Sequence, residues 1–175
     1  MAAILMANRA VTNVEDQPPP IRFRCDDGKL REHTFDFRAT YFNGRRIAIA
    51  VKPKSDVVKS GIRQVLRHVR PLLGGFADEA ILLTDEIVTL KHGWNACSIL
   101  RARRARNHED CARMRDFFRG VHGAVHISQV AVQFDNPAAA LNAIWCLVYD
   151  GVLKLVFPDQ KLVDAPYVIN AKTTL

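Results

Sequence analysis

An Asn-Gly pair at positions 43 and 44 constrains the fold of this chain more than any other feature of its sequence. Asn-Gly is a preferred pair for the centre of the two-residue turn that joins neighbouring antiparallel strands. The segment from about Glu32 to Tyr41 and the segment Arg46–Val51 flank this pair, so we predict that they form a hairpin. The second strand is apolar enough to lie at the centre of a sheet, and Pro53 ends it.

The other patterns in the first hundred residues predict a mixed α/β region. Apolar residues alternate with arginines over residues 21–25, which is typical of a half-buried strand. Residues 56–73 have apolar side chains at helical spacing and precede Gly74-Gly75, so they predict one continuous helix. Residues 79–84 predict a short buried strand. The triple proline at 18–20 predicts an extended segment, and the first dozen residues show no convincing period.

The chain after residue 106 has a different pattern. One helix is predicted from Asn107 or His108 to about Arg119, and another from the Asn136-Pro137 cap to Gly151. A short helix over residues 126–132 lies between them, although its β-branched residues leave it ambiguous with a strand.

A β-ribbon is predicted to follow these three helices, with strands over residues 152–157 and 161–163. Three helices followed by a ribbon is the order of elements in a winged helix. We therefore predict two domains, over residues 1–100 and 101–175. Asn142 is the only obvious base-reading side chain of the third helix, which is otherwise apolar.

Composition excludes several classes of protein. Of the 175 residues, 49% are hydrophobic and 25% are charged, which is typical of a globular chain rather than a disordered one. No apolar run reaches the roughly 18 residues of a membrane span, so we expect no membrane partner. Neither the four cysteines nor the six histidines have the spacing of a zinc site, and well-separated cysteines indicate free thiols and a cytoplasmic location.

The charge of the chain indicates an acidic partner, with nucleic acid as the first candidate. Lys and Arg number 25 against 18 Asp and Glu, and the formal charge of +7 is concentrated in residues 1–54 and 99–175. Candidate phosphate contacts lie on one face of the predicted helix and in an arginine-rich run: Lys59, Arg63, Arg67, Arg70, Arg101, Arg103, Arg104 and Arg106. A solvated helix face or linker is the alternative explanation.

Asp36 and Lys52 are the candidate catalytic residues. They lie on the two strands that the Asn-Gly turn joins, where such a pair can hold a divalent cation and orient or deprotonate a water molecule. A third acidic or amide side chain normally stands two residues before the Lys, and here that residue is Ala50. By strand alternation Glu32 shares a face with Asp36, so Glu32 is an alternative ligand. An exposed cross-strand ion pair is the simpler explanation of Asp36 and Lys52.

Several short motifs in order along the chain are similar to one known family. They are Val14-Glu15-Asp16-Gln17-Pro18, Asp27-Gly28, Phe35-Asp36-Phe37, Asn43-Gly44-Arg45, Ile49-Ala50-Val51-Lys52-Pro53 and Thr84-Asp85-Glu86-Ile87, with Leu147, Gly151 and Leu153 near the C-terminus. Together they resemble the TnsA endonuclease subunit of heteromeric bacterial transposases over roughly residues 12–170. That family combines a restriction-endonuclease-like domain of the PD-(D/E)XK superfamily with a C-terminal winged helix.

The resemblance implies an active site with four side chains. The family takes a Glu from an N-terminal helix, an Asp from the second strand, and a Gln or Glu with a Lys from the third strand. Asp36 and Lys52 match two of these, Ala50 replaces the third, and the first ten residues contain no acidic residue. The site therefore resembles a Mg²⁺-dependent endonuclease site from which two groups are missing.

From the resemblance and the charge we expect a DNA-binding protein with an incomplete nuclease site, acting in transposition or another mobile-element process. Binding would need no cofactor, and Mg²⁺ would be needed only for cleavage, with Asp36 as its ligand. The expected partners are DNA and transposase-like proteins. Two alternatives stay open: an active metal-dependent DNA endonuclease, and a non-catalytic protein-interaction factor related to a transposase subunit.

Overall fold

The computed structural model describes residues 1–172, and the chain divides into two compact units. The first unit comprises Met1–Met6 with Ala10–Thr89, and the second comprises Ala7–Arg9 with the chain from Leu90 onward. Strands and helices alternate in both units, so the mixed α/β class predicted from the sequence is confirmed. Within residues 1–172, no helix combines the length and the apolar character that a membrane crossing requires.

The first unit is built around a mixed four-stranded sheet. Its elements are α1 (Ala2–Met6), β1 (Val11–Asp16), β2 (Ile21–Arg24), β3 (Leu30–His33), β4 (Phe37–Tyr41), β5 (Arg46–Val51), α2 (Lys54–Lys59), α3 (Ile62–Val69), a 3₁₀ turn (Arg70–Leu72) and β6 (Glu79–Leu83). The sheet order is β1-β4-β5-β6, and β2 pairs with β3 in a separate hairpin. Neighbours β1, β4 and β5 are antiparallel, whereas β6 is parallel to β5.

The hairpin of β4 and β5 forms as the sequence predicts. The Asn43 side-chain oxygen accepts a hydrogen bond from the Arg45 N–H over 3.0 Å, and Gly44 has the left-handed φ of 81° that its turn position requires. Phe37 is then paired with Ile49 in the strand register. This register places the beginning of β4 beside the end of β5.

The two faces of the sheet contribute to different hydrophobic clusters. Ala48 and Ala50 of β5 belong to the cluster that includes Leu66 of α3, whereas Ile49 belongs to the cluster that includes Leu5 of α1. This division follows from the alternation of side chains along a strand. Residues of β5 with even numbers therefore face α2 and α3.

The helix predicted over residues 56–73 is wrong as a single element, because it breaks at Ser60-Gly61. Gly61 has a φ of 63°, which is left-handed and incompatible with a continuous right-handed helix. The four basic residues predicted to share one helix face consequently lie on three elements. Lys59 ends α2, Arg63 and Arg67 lie on α3, and Arg70 begins the 3₁₀ turn.

The strand predicted from Glu32 to Tyr41 is also wrong as a single element. It is interrupted over residues 34–36, so Glu32 lies on β3 in the separate hairpin while β4 begins at Phe37. The alternation that placed Glu32 and Asp36 on one face therefore does not apply. Strand β1 was not predicted, although it pairs with β4 along most of its length.

The second unit consists of helices followed by a small antiparallel sheet. Its elements are α4 (Leu90–Arg104), α5 (His108–Phe117), β7 (Ala124–His126), α6 (Ile127–Ala131), α7 (Pro137–Tyr149), β8 (Leu153–Leu155) and β9 (Tyr167–Asn170). The sheet order is β7-β9-β8. The predicted start of α7 is confirmed, since the Asn136 side chain accepts a hydrogen bond from the Ala138 N–H over 2.8 Å.

Two features of this unit differ from the prediction. The predicted boundary at residue 100 falls inside α4, which was not predicted because its apolar residues form no single stripe. Strand β8 pairs with Tyr167–Asn170, so the partner strand predicted at residues 161–163 is wrong. Those residues form a loop because Asn95 of α4 holds them: its amide donates to the Gln160 carbonyl over 2.7 Å, and its oxygen accepts from the Leu162 N–H.

Candidate functional site

Asp36 and Lys52 lie at the same end of the two central strands of the sheet in the first unit. Asp36 directly precedes β4 and Lys52 directly follows β5. The Asp36 N–H donates to the Ile49 carbonyl over 3.0 Å, and the Lys52 N–H donates to the Leu83 carbonyl of β6 over 3.0 Å. Main-chain hydrogen bonds of the sheet therefore fix the backbone of both residues.

The Asp36 carboxylate is also held by the neighbouring strand. Its Oδ2 atom accepts a hydrogen bond of 2.7 Å from the N–H of Val51, the residue just before Lys52. The ion pairs formed among the described residues do not include Asp36 with Lys52. The simple cross-strand ion pair is thus not what brings these two residues together.

Ala50 occupies the position where the resemblance requires a Gln or Glu. It lies two residues before Lys52, on the same face of β5 by alternation, and its side chain is 1% exposed. Its methyl group packs in the cluster that contains Phe35 and Val57. This position therefore supplies no ligand atom to the site.

Glu15 and Glu32 each accept hydrogen bonds from an arginine. Glu15 of β1 accepts two hydrogen bonds from the Arg38 guanidinium, over 2.9 and 2.7 Å, and these bonds hold the pKa of Glu15 below its usual value. Glu32 accepts a hydrogen bond of 2.7 Å from Arg22 across the hairpin of β2 and β3. Neither glutamate is therefore left to join Asp36 in the site.

These side chains do not fit Mg²⁺, which prefers an octahedron of several oxygen ligands. Asp36 offers one carboxylate, Ala50 offers none, and helix α1 contains no acidic residue. Within residues 1–172, no three His, Cys, Asp or Glu side chains are arranged to hold a metal ion. We therefore derive no hydrolytic step through a magnesium ion.

His33 is a member of this site that the sequence did not reveal. It ends β3, and its ring packs edge-on against Phe35 with 4.7 Å between ring centres. Burial lowers the pKa of His33; the Asp36 carboxylate opposes this shift and the Lys52 ammonium adds to it. The three charged or titratable groups thus interact electrostatically. In the sequence His33 is one of six scattered histidines, and only its position three residues before Asp36 hints at a role.

The basic residues of the first unit differ in their availability. Arg63 and Arg67 are exposed, lie one turn apart on α3 and so share a face, and Lys59 is exposed at the end of α2. None of these three has an ion-pair partner in the part of the chain that the structure describes. Arg70 donates to the Ala80 carbonyl over 3.4 Å. Arg63 and Arg67, hereafter the basic face, and Lys59 are the side chains of α2 and α3 that are available to phosphate groups.

The arginine-rich run of the second unit is partly structural. Arg106 donates to the Asp150 carboxylate over 2.7 Å and to the Cys146 carbonyl over 3.3 Å, and the pKa of Arg106 is raised by the bond to Asp150. The Arg103 guanidinium stacks 3.8 Å from the ring centre of Tyr149. These two arginines join the end of α4 to the end of α7, whereas Arg101 and Arg104 are exposed.

Helix α7 is the central helix of the second unit. It packs against α4, α5 and α6, and Trp145 is buried in the resulting core. The Asn142 amide donates to the Ala105 carbonyl over 2.9 Å. Asn142, the side chain that the sequence predicted for base reading, therefore forms its hydrogen bond within the second unit.

Comparison with known proteins adds no family to this description. A scan against protein-family models found no matching family, and a search of curated proteins found no significant match. The resemblance to TnsA subunits consequently rests on the short motifs in the sequence.

Proposed function

We propose that this chain is a DNA-binding protein whose first unit is a TnsA-like, restriction-endonuclease-like domain that does not cut DNA. One observation carries the proposal. Asp36 and Lys52 lie at the same end of the central strands β4 and β5, as in a nuclease site of this type, while a buried alanine stands where the third functional side chain belongs.

The order of elements in the first unit supports the nuclease-like part of the proposal. A short helix is followed by antiparallel strands β1, β4 and β5, then by α2 and α3, and then by a strand parallel to β5. Asp36 directly precedes the second strand of this sheet, and Lys52 directly follows the third. These are the strands from which the resemblance takes its Asp and Lys.

The basic face supports the DNA-binding part. Lys59, Arg63 and Arg67 are exposed cations, and arginines form forked hydrogen bonds to phosphate oxygens. Contacts of this kind give affinity that depends on salt and little on base sequence. The first unit is therefore the main DNA-binding surface in this proposal.

The second unit resembles a winged helix in the order of its elements. Helix α5, strand β7, helices α6 and α7, and strands β8 and β9 follow one another, with β9 between β7 and β8. In a DNA-binding winged helix the last helix enters the major groove. Here α7 is packed by three helices and Asn142 is engaged, so we propose that this unit binds a protein partner of the transposase type instead.

DNA binding is tested by the fluorescence anisotropy of a short labelled duplex over a series of salt concentrations. Replacement of both Arg63 and Arg67 by Ala is expected to reduce the salt slope by about two and to weaken binding to all sequences similarly. Arg119→Ala is the matched control, because Arg119 is exposed and pairs with Asp116 in the second unit. Absence of salt-dependent binding by the native protein would refute the proposal and favour the interaction factor.

Cleavage is tested separately by incubation of the protein with supercoiled DNA and Mg²⁺ or Mn²⁺. No nicking is expected at any protein concentration. Nicking that disappears in both Asp36→Ala and Lys52→Ala would show instead that the protein is an active endonuclease.

A further inference from the structure

A cavity of about 290 Å³ lies between the hairpin of β2 and β3 and helix α3. Its wall includes Asp26, in the turn that joins the two strands, and His68, in the last turn of α3. The Nε2 atom of His68 lies 3.5 Å from the Oδ1 atom of Asp26. A cavity of this size has room for several water molecules, so an ion bound by the two side chains would also have access to water ligands.

The separation of these two atoms is too long for a good hydrogen bond. The His68 Nε2 atom is buried and has no hydrogen bond to any described residue, whereas an N–H···O bond has a length of about 2.7–3.2 Å. Two ligand atoms of a tetrahedral Zn²⁺ ion lie about 3.3–3.5 Å apart, because the Zn–N and Zn–O bonds are about 2.0–2.2 Å long. The observed distance to Asp26 therefore matches a pair of metal ligands.

Other residues hold both side chains in place. The Phe23 ring stacks on the His68 ring, with 5.9 Å between the ring centres and 15° between the ring planes. The Gln64 amide donates to the Oδ2 atom of Asp26 over 3.1 Å, so the carboxylate approaches His68 with its other oxygen. Partners of this kind orient metal ligands and increase the affinity for the metal. The two side chains are thus positioned before an ion binds.

A buried ring nitrogen without a hydrogen bond does not define this site by itself, because His33 Nε2 has the same property. The two histidines differ in their surroundings. His68 has the Asp26 carboxylate at 3.5 Å and a cavity beside it, whereas His33 forms no ion pair within residues 1–172. The spacing and the cavity therefore distinguish His68.

We propose that His68 Nε2 and Asp26 Oδ1 together bind a divalent transition-metal ion such as Zn²⁺, with water in the remaining positions. One nitrogen and one oxygen suit Zn²⁺ better than Mg²⁺, which prefers oxygen alone. The charged residues of the cavity wall favour a cation, since Asp26 and Asp27 outnumber Arg31. The affinity is modest because the protein supplies two ligands, and no group of three lies within residues 1–172. The site does not include Asp36 or Lys52 and does not depend on DNA binding.

The proposal is tested by calorimetric titration of metal-free protein with Zn²⁺ and, in parallel, with Mg²⁺. His68→Gln and Asp26→Asn are each expected to weaken Zn²⁺ binding at least about tenfold, since even indirect partners of a ligand contribute that much. His33→Gln is the control for a buried ring nitrogen without a hydrogen bond. His92→Gln is the control for a histidine at hydrogen-bond distance from a carboxylate, because its Nε2 atom lies 3.0 Å from Asp159. Both control variants are expected to bind Zn²⁺ as the native protein does.

Three calorimetric outcomes would overturn the proposal: no Zn²⁺ binding by the native protein, equal affinity for Mg²⁺, or an effect of His68→Gln no larger than that of the two control variants. The native protein also provides a readout that does not depend on the folding of any variant. In long-range ¹H–¹⁵N spectra, Zn²⁺ is expected to shift the Nε2 resonance of His68. Unchanged His68 resonances at saturating Zn²⁺ would equally refute the site.

Discussion

The main-chain N–H of Val51 donates to the carboxylate of Asp36 over 2.7 Å, which joins the end of β5 to the residue that directly precedes β4. The side chain of Asp36 thereby takes the place of a backbone acceptor at the end of the two central strands. One carboxylate oxygen is used for the fold, and the other accepts no hydrogen bond within residues 1–172.

Loss of this bond is expected to destabilise the first unit. Asp36→Ala leaves the Val51 N–H without its acceptor and should lower the free energy of unfolding by about 1–3 kcal/mol. Asp36→Asn keeps an oxygen acceptor and should cost less. Urea unfolding followed by circular dichroism measures both variants, and equal losses for the two would contradict the role assigned to this bond.

Any side chain at position 61 is expected to destabilise the first unit. Its φ is 63°, and a Cβ atom there would meet nothing within 4 Å, so Gly61→Ala isolates the backbone strain. We expect a loss of about 1 kcal/mol in the free energy of unfolding. Gly74→Ala is the matched control, because its surroundings are equally open and its φ is not left-handed. A loss of similar size at Gly74 would argue against strain as the cause.

The ion pair of Glu15 and Arg38 is expected to make stability depend on pH in the acidic range. The hydrogen bond from Arg38 lowers the pKa of Glu15 from 4.5, so the folded protein binds the proton less tightly than the unfolded chain. The stabilising contribution of this ion pair is complete above pH 4.5, and it is lost as the pH falls through the lowered pKa of Glu15 in the folded protein. Glu15→Gln should therefore lose less stability than the native protein on acidification, as measured by thermal melts from neutral to acidic pH. A parallel decline in both proteins would exclude this contribution.

Arg106 is expected to stabilise the second unit rather than bind DNA. Arg106→Ala removes a charged hydrogen bond to Asp150. The Arg106 and Asp150 side chains are only 25% and 22% exposed, so the loss should lower the free energy of unfolding by about 1–3 kcal/mol. The exposed Arg104 is the control, and its replacement by Ala should change stability by less than about 0.5 kcal/mol. Both tryptophans, Trp94 and Trp145, belong to this unit, so their fluorescence reports its unfolding separately. A neutral effect of Arg106→Ala would return Arg106 to the candidate phosphate contacts.

Elements that depend on local sequence were predictable. The hairpin of β4 and β5 follows from the Asn-Gly turn, and the start of α7 follows from the cap at Asn136. Elements that depend on distant partners were not: β1 becomes a strand by pairing with β4, and α4 has no apolar stripe of its own.

In the candidate site, too, what local sequence determines was predictable and what distant parts of the chain determine was not. The register of one hairpin was enough to place Asp36 near Lys52. His33 belongs to a different hairpin, and no local pattern signals the break between β3 and β4 over residues 34–36. Glu32 was selected by an alternation that this break interrupts.

The burial of Ala50 has a consequence for any acidic replacement at this position. A single Ala50→Glu change would place an ionised carboxylate among Phe35, Val57 and Leu66, at a cost of several kcal/mol without a cation to neutralise it. Apolar side chains surround this position on the inner face of the sheet. An acidic side chain there would thus require several coordinated replacements in the cluster, so Ala50 cannot be exchanged for a ligand by a single substitution without loss of stability.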